Sequence, residues 1–252
     1  MLGARRMKAI LLAAGFATRL HPLTLERAKP LLEVGGRPVL SRLLERVLTL
    51  PGLEEVLVVV NQRFRQQFET WAAGVDAPVP LRLVVDAARD EAEKLGAIGD
   101  LALALEQLAD DGAPLFVGAG DNLVEADLAA CARRFALDPT RPLLIVRQIQ
   151  GEVPAGRYSE VVLAEGERVQ RFREKPADPQ SPLSAVGLYF LPAAARGWVR
   201  QYLREGGNPD APGYFFEWLL RRVPMVAARL EGSWHDIGDL QTLAAARAAY
   251  GS

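Results

Sequence analysis

Apolar runs of strand length alternate with amphipathic segments of helix length along the first 140 residues. Lys8 to Ala13 forms one such run, which is typical of a strand buried on both faces. Val39 to Leu50 repeats apolar residues at helical spacing and ends before Pro51-Gly52. This alternation predicts right-handed βαβ crossovers and a mostly parallel sheet. The pattern also predicts strands over 55–60, 81–85 and 115–118, and helices over 63–73, 101–108 (with Asp100 as its N-cap) and 126–135.

The rhythm changes after Pro142, where strand-like segments follow one another with few helices between them. The pattern there predicts strands over 143–148, 159–164, 169–174, 185–191 and 225–230, and helices over 195–203, 214–222 and 240–250. No Ser- or Gly-rich linker separates the two regions. The sequence therefore predicts a single α/β domain over residues 1–252, in which a half at about 7–140 and a half at about 141–252 share one sheet.

Composition excludes several classes of protein. The chain has 252 residues, 50% of them hydrophobic and 24% charged, as in an ordinary globular protein. Its 30 basic and 31 acidic side chains give a net charge of −1, which argues against general binding to nucleic acid or to a membrane surface. No apolar run reaches the roughly 18 residues of a membrane span, and the N-terminus lacks a signal-peptide pattern. The single cysteine, Cys131, excludes an internal disulfide, and the missing signal-peptide pattern predicts a cytoplasmic location.

The stretch from Leu11 to Pro38 carries the most informative pattern of the chain. A buried strand leads into Ala13-Ala14-Gly15, whose small side chains let backbone N–H groups approach an anion closely. Arg19 and Lys29 follow, and both can neutralise phosphate groups. The alternative interpretation is a tight turn after a strand, with two cations on the surface.

The use of lysine points to two positions. Only four of the 30 basic residues are lysine, so the chain uses arginine wherever a solvated cation is enough. Two of the four, Lys29 and Lys175, stand directly before proline. This bias marks them as candidate functional cations.

Two further motifs place charged residues after a predicted strand. Gly120-Asp121-Asn122 puts a carboxylate where ligands bind in parallel sheets, although an Asx-turn closing the strand would explain it equally well. Glu174-Lys175-Pro176 follows another strand, and its alternative interpretation is a surface ion pair. Neither motif is decisive alone.

The order of these motifs matches a known family. Leu12 to Thr24 reads Leu-Ala-Ala-Gly-Phe-Ala-Thr-Arg-Leu-His-Pro-Leu-Thr, and Lys29-Pro30-Leu31-Leu32 follows at the expected distance. This stretch closely resembles the signature of the sugar-1-phosphate nucleotidyltransferases, which include glucose-1-phosphate thymidylyltransferase and mannose-1-phosphate guanylyltransferase. Ala17 stands where that signature has its second glycine. Because alanine tolerates most conformations with negative φ, we expect the turn to persist.

The resemblance extends along nearly the whole chain. It includes Gly120-Asp121-Asn122, Arg157 to Val162, Glu174-Lys175-Pro176, Ala185 to Phe190 and Trp234 to Gly238. It implies a Rossmann-like, mostly parallel mixed sheet flanked by helices, of the nucleotide-diphospho-sugar transferase type. It also implies that the chain transfers a nucleotidyl group from an NTP to a sugar-1-phosphate with Mg²⁺ as cofactor.

The resemblance also implies which residues act. It assigns catalysis to Arg19, Lys29, Asp121 and Asp236, with the two aspartates as the Mg²⁺ ligands. It assigns nucleotide binding to Ala13, Ala14, Gly15, Ala17, Thr18, Arg19, Lys29, Gly96 and Gly120. It assigns sugar-phosphate binding to Ser159, which replaces the usual glycine, and to Glu174, Lys175, Val186 and Gly187.

Two other functions stay open at this point. One is an aminoalcohol-phosphate cytidylyltransferase of the phosphocholine type, and the other is a non-catalytic regulatory relative. Glu174 before Lys175 favours a sugar substrate, and the presence of both metal carboxylates favours catalysis. The sequence does not choose the base, the sugar or the oligomeric state, so a homo-oligomer stays open.

The segment from Asp86 to Gly96 is rich in charge and contains no glutamine that would read a base. One interpretation is a solvated loop. The other is a flap that orders over the base, with Gly96 and Gly99 as hinges.

Overall fold

The computed structural model describes residues 6–251. The strands are β1 (Met7–Leu12), β2 (Glu33–Val34), β3 (Arg37–Pro38), β4 (Leu53–Asn61), β5 (Leu81–Asp86), β6 (Leu115–Ala119), β7 (Asn122–Val124), β8 (Leu143–Gln148), β9 (Glu160–Leu163), β10 (Val169–Arg173), β11 (Leu183–Leu191), β12 (Val226–Arg229) and β13 (Trp234–Asp236). The helices are α1 (Leu23–Glu26), α2 (Val39–Val47), α3 (Arg65–Ala73), α4 (Ala97–Gln107), α5 (Leu128–Phe135), α6 (Ala195–Arg204), α7 (Pro212–Leu220) and α8 (Leu240–Tyr250). Short 3₁₀ turns occupy Thr18–Leu20, Lys29–Leu31, Gln62–Phe64 and Glu165–Glu167.

The main sheet has seven strands in the order β12-β8-β11-β6-β1-β4-β5. Strand β1 is parallel to both β4 and β6, whereas β11 is antiparallel to β6 and β8. The sheet is therefore mixed and mostly parallel, as the alternating pattern predicts. Strands from both halves of the chain build it, so β6 and β11 meet within one sheet.

Apolar side chains cover both faces of this sheet. One layer holds side chains of α2, α3 and α5, including Leu43, Phe68 and Phe135. The other holds side chains of α4, α6 and α7, including Leu101 and Phe215. A parallel strand between two such layers must be apolar on both sides, which explains the continuous apolar run of β4. In residues 6–251, none of the helices has both the length and the apolar character that a membrane crossing requires.

Most predicted elements lie within a few residues of the observed ones, but the start of α4 is wrong. The helix begins at Ala97, with Gly96 as its N-cap at φ +78°, so Asp100 lies inside the helix. The reason is tertiary, because Ile98 packs in the core and extends the buried face toward the N-terminus. The sequence analysis also missed α1 and the antiparallel pair β7–β13, whose two strands are far apart along the chain.

The loop after β1 persists, but not for the reason given above. Ala17 adopts φ +50° and ψ +49°, the left-handed conformation, and not a negative φ. Two hydrogen bonds hold it there, because its carbonyl accepts from Thr24 Oγ1 at 2.8 Å and from Leu20 N–H at 2.9 Å. Side chains disfavour this conformation, so Ala17 is strained where a glycine would not be.

We therefore expect Ala17→Gly to raise the free energy of unfolding by about 0.5–1 kcal/mol, because glycine adopts positive φ without a steric cost. Denaturant unfolding measures the change. Ala130→Gly is the matched control with the opposite sign, since Ala130 is an exposed residue inside α5. That substitution should lower stability by about 1 kcal/mol. Destabilisation by both substitutions would contradict the strain at Ala17.

Candidate active site

The carboxyl ends of β1 and β6 open into one cleft of about 360 Å³. Because these parallel neighbours end at the same edge of the sheet, the segments that follow them face each other. Of the residues that the sequence analysis assigned to the site, the cleft is lined by Ala13, Ala14, Gly15, Ala17, Thr18, Arg19, Lys29, Gly96, Asp121 and Lys175. The fold thus brings together residues of the Leu11 to Pro38 stretch, Asp121 from the Gly-Asp-Asn motif and Lys175 from the second half of the chain.

A buried amide fixes the loop that follows β1. The fully buried Asn61 donates from Nδ2 to the Ala14 carbonyl at 2.8 Å and accepts from Phe64 N–H at 3.0 Å. Gly15 is exposed, and a Cβ there would meet no atom within 4 Å, so its backbone is open to a ligand. The sequence analysis missed Asn61, although a polar residue at the end of an apolar strand is a signal that could have indicated it.

Gly120 does not line the cleft but packs against the end of β1 beside it. Its N–H donates to the Leu12 carbonyl at 2.8 Å. A Cβ at this position would lie 3.1 Å from the same carbonyl oxygen and 3.2 Å from Ala13 Cβ. Gly120 therefore lets the end of β6 pack against the end of β1, and its N–H is already used.

Two distant aspartates come together on one side of the cleft. Strand β13 pairs with β7 so that Asp236 lies opposite Asn122, the neighbour of Asp121. Trp234 Nε1 donates to Asn122 Oδ1 at 2.7 Å and reinforces this pairing. Lys29 Nζ lies 2.6 Å from Asp121 Oδ2, so the lysine joins the same group.

Burial raises the pKa of Asp236, and the negative charge of Asp121 raises it further. The cations Lys29, Arg157 and Arg19 act in the opposite direction on this pKa, so all of them lie near the carboxylate. Two carboxylates form a partial ligand set for a hard cation that completes its shell with phosphate oxygens and water. No cluster of three or more His, Cys, Asp or Glu with metal-binding geometry occurs in residues 6–251.

The Glu-Lys-Pro motif lies directly after β10. The Glu174 side chain is only 8% exposed, and its Oε1 lies 3.7 Å from Lys175 Nζ. Burial raises the pKa of Glu174, and the adjacent Lys175 opposes the shift. A Cβ at Gly213 of α7 would collide with the Glu174 carboxylate, so this glycine makes room for it. Lys175 itself has φ +46°, a left-handed backbone that directs the chain around the motif.

Three residues assigned to sugar-phosphate binding have other contacts. Ser159 Oγ accepts from the Ala185 N–H at 3.1 Å and so fastens the start of β9 to β11. Val186 is 2% exposed and packs in the core. A Cβ at Gly187, which has φ +74°, would lie 2.9 Å from Asn122 Nδ2. In this structure the three residues support the β11 side of the site and do not line the cleft.

The charged segment 86–96 is anchored to the loop before α7. Lys94 Nζ lies 2.6 Å from both Glu91 Oε1 and Asp210 Oδ1. A Cβ at Gly96 would lie 2.6 Å from the Pro209 carbonyl oxygen, so only glycine fits this approach. The assignment of Gly99 as a hinge is wrong, because Gly99 lies in the first turn of α4, where the helix fixes its backbone.

Comparison with known proteins places this geometry in a family. Residues 8–252 match a family model described as nucleotidyl transferase. A mannose-1-phosphate guanyltransferase from Yarrowia lipolytica is 28% identical over 239 residues, and the alignment covers 92% of this chain. A mannose-1-phosphate guanyltransferase beta-B from Xenopus laevis is 30% identical over 234 residues. The chain spans 61% of the length of each of these relatives.

Solved structures share the fold. A putative glucose-1-phosphate thymidylyltransferase from Bacillus anthracis superimposes with a TM-score of 0.82 at 20% identity, covering 97% of this chain and 95% of that one. A CTP:phosphocholine cytidylyltransferase from Streptococcus pneumoniae gives 0.76 at 22% identity, covering 97% of this chain and 99% of that one. The family match covers nearly every residue, and the fold agrees with it. The chain therefore belongs to the nucleotidyl transferase family.

Proposed function

We propose that this chain transfers a nucleotidyl group from an NTP to a sugar-1-phosphate and releases pyrophosphate. The observation that carries the proposal is the set of charges around one cleft. Arg19, Lys29 and Lys175 line it, and Asp121 and Asp236 lie together at its side. Three cations suit two phosphate-bearing substrates, and a carboxylate pair suits the divalent cation that accompanies a nucleotide.

The chemistry needs alignment more than acid–base catalysis. A sugar-1-phosphate has a second pKa near 6, so it is mostly a dianion at neutral pH. One of its oxygens attacks the α-phosphorus in line, the bond from that phosphorus to the bridging oxygen breaks, and pyrophosphate leaves with the electron pair. Arg19 and Lys29 would neutralise the nucleotide phosphates, and the exposed backbone of Gly15 would approach them. Lys175 would hold the sugar phosphate, while the buried Glu174 would accept hydrogen bonds from sugar hydroxyls.

Asp121 and Asp236 would hold Mg²⁺, since their oxygens are the ligands that this cation prefers. When bound, the ion would neutralise charge on the phosphates and help to orient them. Lys29, which pairs with Asp121, would connect this carboxylate to the nucleotide phosphates. No histidine is needed in this scheme, because the nucleophile is already ionised.

The names of the relatives indicate which substrates to test first. The two curated relatives described above are mannose-1-phosphate guanyltransferases, which makes GTP with mannose-1-phosphate the first pair. We place sugar phosphates first because a hydroxylated ligand can donate to the Glu174 carboxylate, and we include phosphocholine because its quaternary ammonium can also pair with that carboxylate. A matrix of four or five NTPs against several sugar-1-phosphates and phosphocholine, with pyrophosphate detection, tests the proposal. No Mg²⁺-dependent pyrophosphate from any pair would overturn it.

We expect Asp121→Asn and Asp236→Asn each to lower turnover by at least about 10²-fold, because each removes an anionic metal ligand while keeping its shape. Steady-state rates at saturating Mg²⁺ measure the loss. The control is Asp76→Asn, which changes an exposed carboxylate and should leave the rate unchanged. Near-normal turnover in either active-site variant would remove that aspartate from the mechanism.

The two lysines before proline should divide between the substrates. We expect Lys29→Ala to raise the KM for the nucleotide about tenfold or more, and Lys175→Ala to do the same for the sugar phosphate, because each removes a charge-assisted contact. Separate titrations of the two substrates give the four KM values. Each variant's KM for the other substrate is its internal control, and equal changes for both substrates in both variants would contradict the assignment.

A further inference from the structure

The Glu-Lys-Pro motif lies on a segment without helix or strand, which connects the end of β10 at Arg173 to the start of β11 at Leu183. This segment carries the buried Glu174 and the cleft-lining Lys175, to which the proposed function gives the sugar phosphate. Lys175 has φ +46°, and a residue other than glycine keeps such a backbone only where its surroundings fix it. The position of Lys175 in the cleft therefore depends on what holds the two ends of the segment.

One buried carboxylate holds both ends. It belongs to Glu160, the first residue of β9, which is only 1% exposed. Before the segment, Arg173 donates to the two Glu160 oxygens from Nε and Nη2, each at 3.0 Å. At the far end of the segment, the N–H groups of Gln180 and Ser181 donate to Glu160 Oε2, the latter at 3.0 Å. The two ends of segment 174–182 are thus joined through a single side chain.

The charge of this carboxylate makes the connection strong. Burial alone would raise the pKa of Glu160, but the hydrogen bonds from Arg173, Gln180 and Ser181 outweigh burial and lower it. A second cation adds to them, since Arg171 Nη2 lies 3.3 Å from Glu160 Oε1. Hydrogen bonds to an ionised group are stronger than those between neutral groups, and a bidentate arginine also fixes the geometry. Glu160 is therefore ionised and fully paired at neutral pH.

Arg173 extends these contacts into the segment itself. Its Nη1 donates to Asp178 Oδ1 and its Nη2 to the Asp178 carbonyl, both at 2.9 Å. Closer to the motif, the Pro176 carbonyl accepts from the Gly156 N–H at 2.9 Å. The backbone is thus fixed on both sides of Lys175, by Arg173 before it and by Pro176 and Asp178 after it.

We propose that Glu160 is a positioning residue for the sugar phosphate, which acts through Arg173 and the far end of segment 174–182 to hold Lys175 in the cleft. Glu160 does not line the cleft, so it acts without touching the substrate. A displacement of about 1 Å in a group that positions a substrate can cost about 100-fold in rate. The inference rests on the proposed function, because it requires that Lys175 bind the phosphate of the second substrate.

Glu160→Gln tests this role, because it keeps the shape of the side chain and removes the charge that Arg173 pairs with. The assay uses GTP and mannose-1-phosphate, or the most active pair of the substrate matrix. We expect the KM for the sugar phosphate to rise about tenfold or more. The KM for the nucleotide, and its Kd from calorimetric titration with Mg²⁺ alone, should not change. The matched control is Glu165→Gln, an exposed glutamate in the turn at the other end of the β9–β10 pair, which should alter none of these values.

A merely structural role for Glu160 gives a different result, because a destabilised fold lowers the amount of active protein and does not change one KM selectively. Arg173→Lys is the second variant. It keeps a cation beside Glu160, so the buried charge retains a partner, but lysine lacks the fork that reaches Glu160 and Asp178 together. We expect the same selective rise in the KM for the sugar phosphate, and denaturant unfolding verifies that each variant is folded in the assay.

Three outcomes would overturn the role of Glu160 and leave the proposed function standing. These are an unchanged KM for the sugar phosphate in a folded variant, an equal rise in both KM values, and failure of both variants to fold, which would assign Glu160 to the fold alone. No pyrophosphate from the unaltered chain with any substrate pair would overturn both the role and the proposed function.

Discussion

The site depends on the backbone pairing of β1 with β6 at the centre of the sheet. Because the two strands are parallel and in register up to Leu12 and Ala119, their chains leave the sheet side by side. The hydrogen bond from Gly120 N–H to the Leu12 carbonyl extends this pairing past the ends of the strands. The loop that follows β1 and the carboxylate of Asp121 thus reach the same cleft.

A second, weaker constraint is the pairing of β13, near the C-terminal end of the described residues, with β7. The short strands β7 and β13 contribute few hydrogen bonds, yet their pairing brings Asp236 beside Asp121. Trp234 and Asn122 reinforce it through one side-chain hydrogen bond. Burial and the negative charge of Asp121 raise the pKa of Asp236, and the nearby cations oppose this shift. The fold thus holds two like charges close together, which is the arrangement that a divalent cation would favour.

Acidic and basic side chains are distributed unevenly along the cleft. Lys29 is paired with Asp121, the buried Glu174 lies beside Lys175, and the buried Asp100 also lines the cleft. Each of these acids has a different surrounding, because Asp121 and Glu174 each have a lysine next to them whereas Asp100 lies beside Asp86.

The sequence alone determined most of the strand and helix pattern, the mostly parallel sheet and many of the residues that line the cleft. These depend on local apolar periodicity and on contiguous motifs such as Ala13 to Arg19. Tertiary structure decided what no local pattern encodes. The helix α4 starts early because Ile98 packs in the core, Asp100 becomes a cleft residue instead of a cap, and the pairing of β7 with β13 brings Asp236 beside Asp121. Burial and the approach of distant chain segments decide these features. The free energy of a buried side chain or charge depends on neighbours in space, and these neighbours are far away in the sequence.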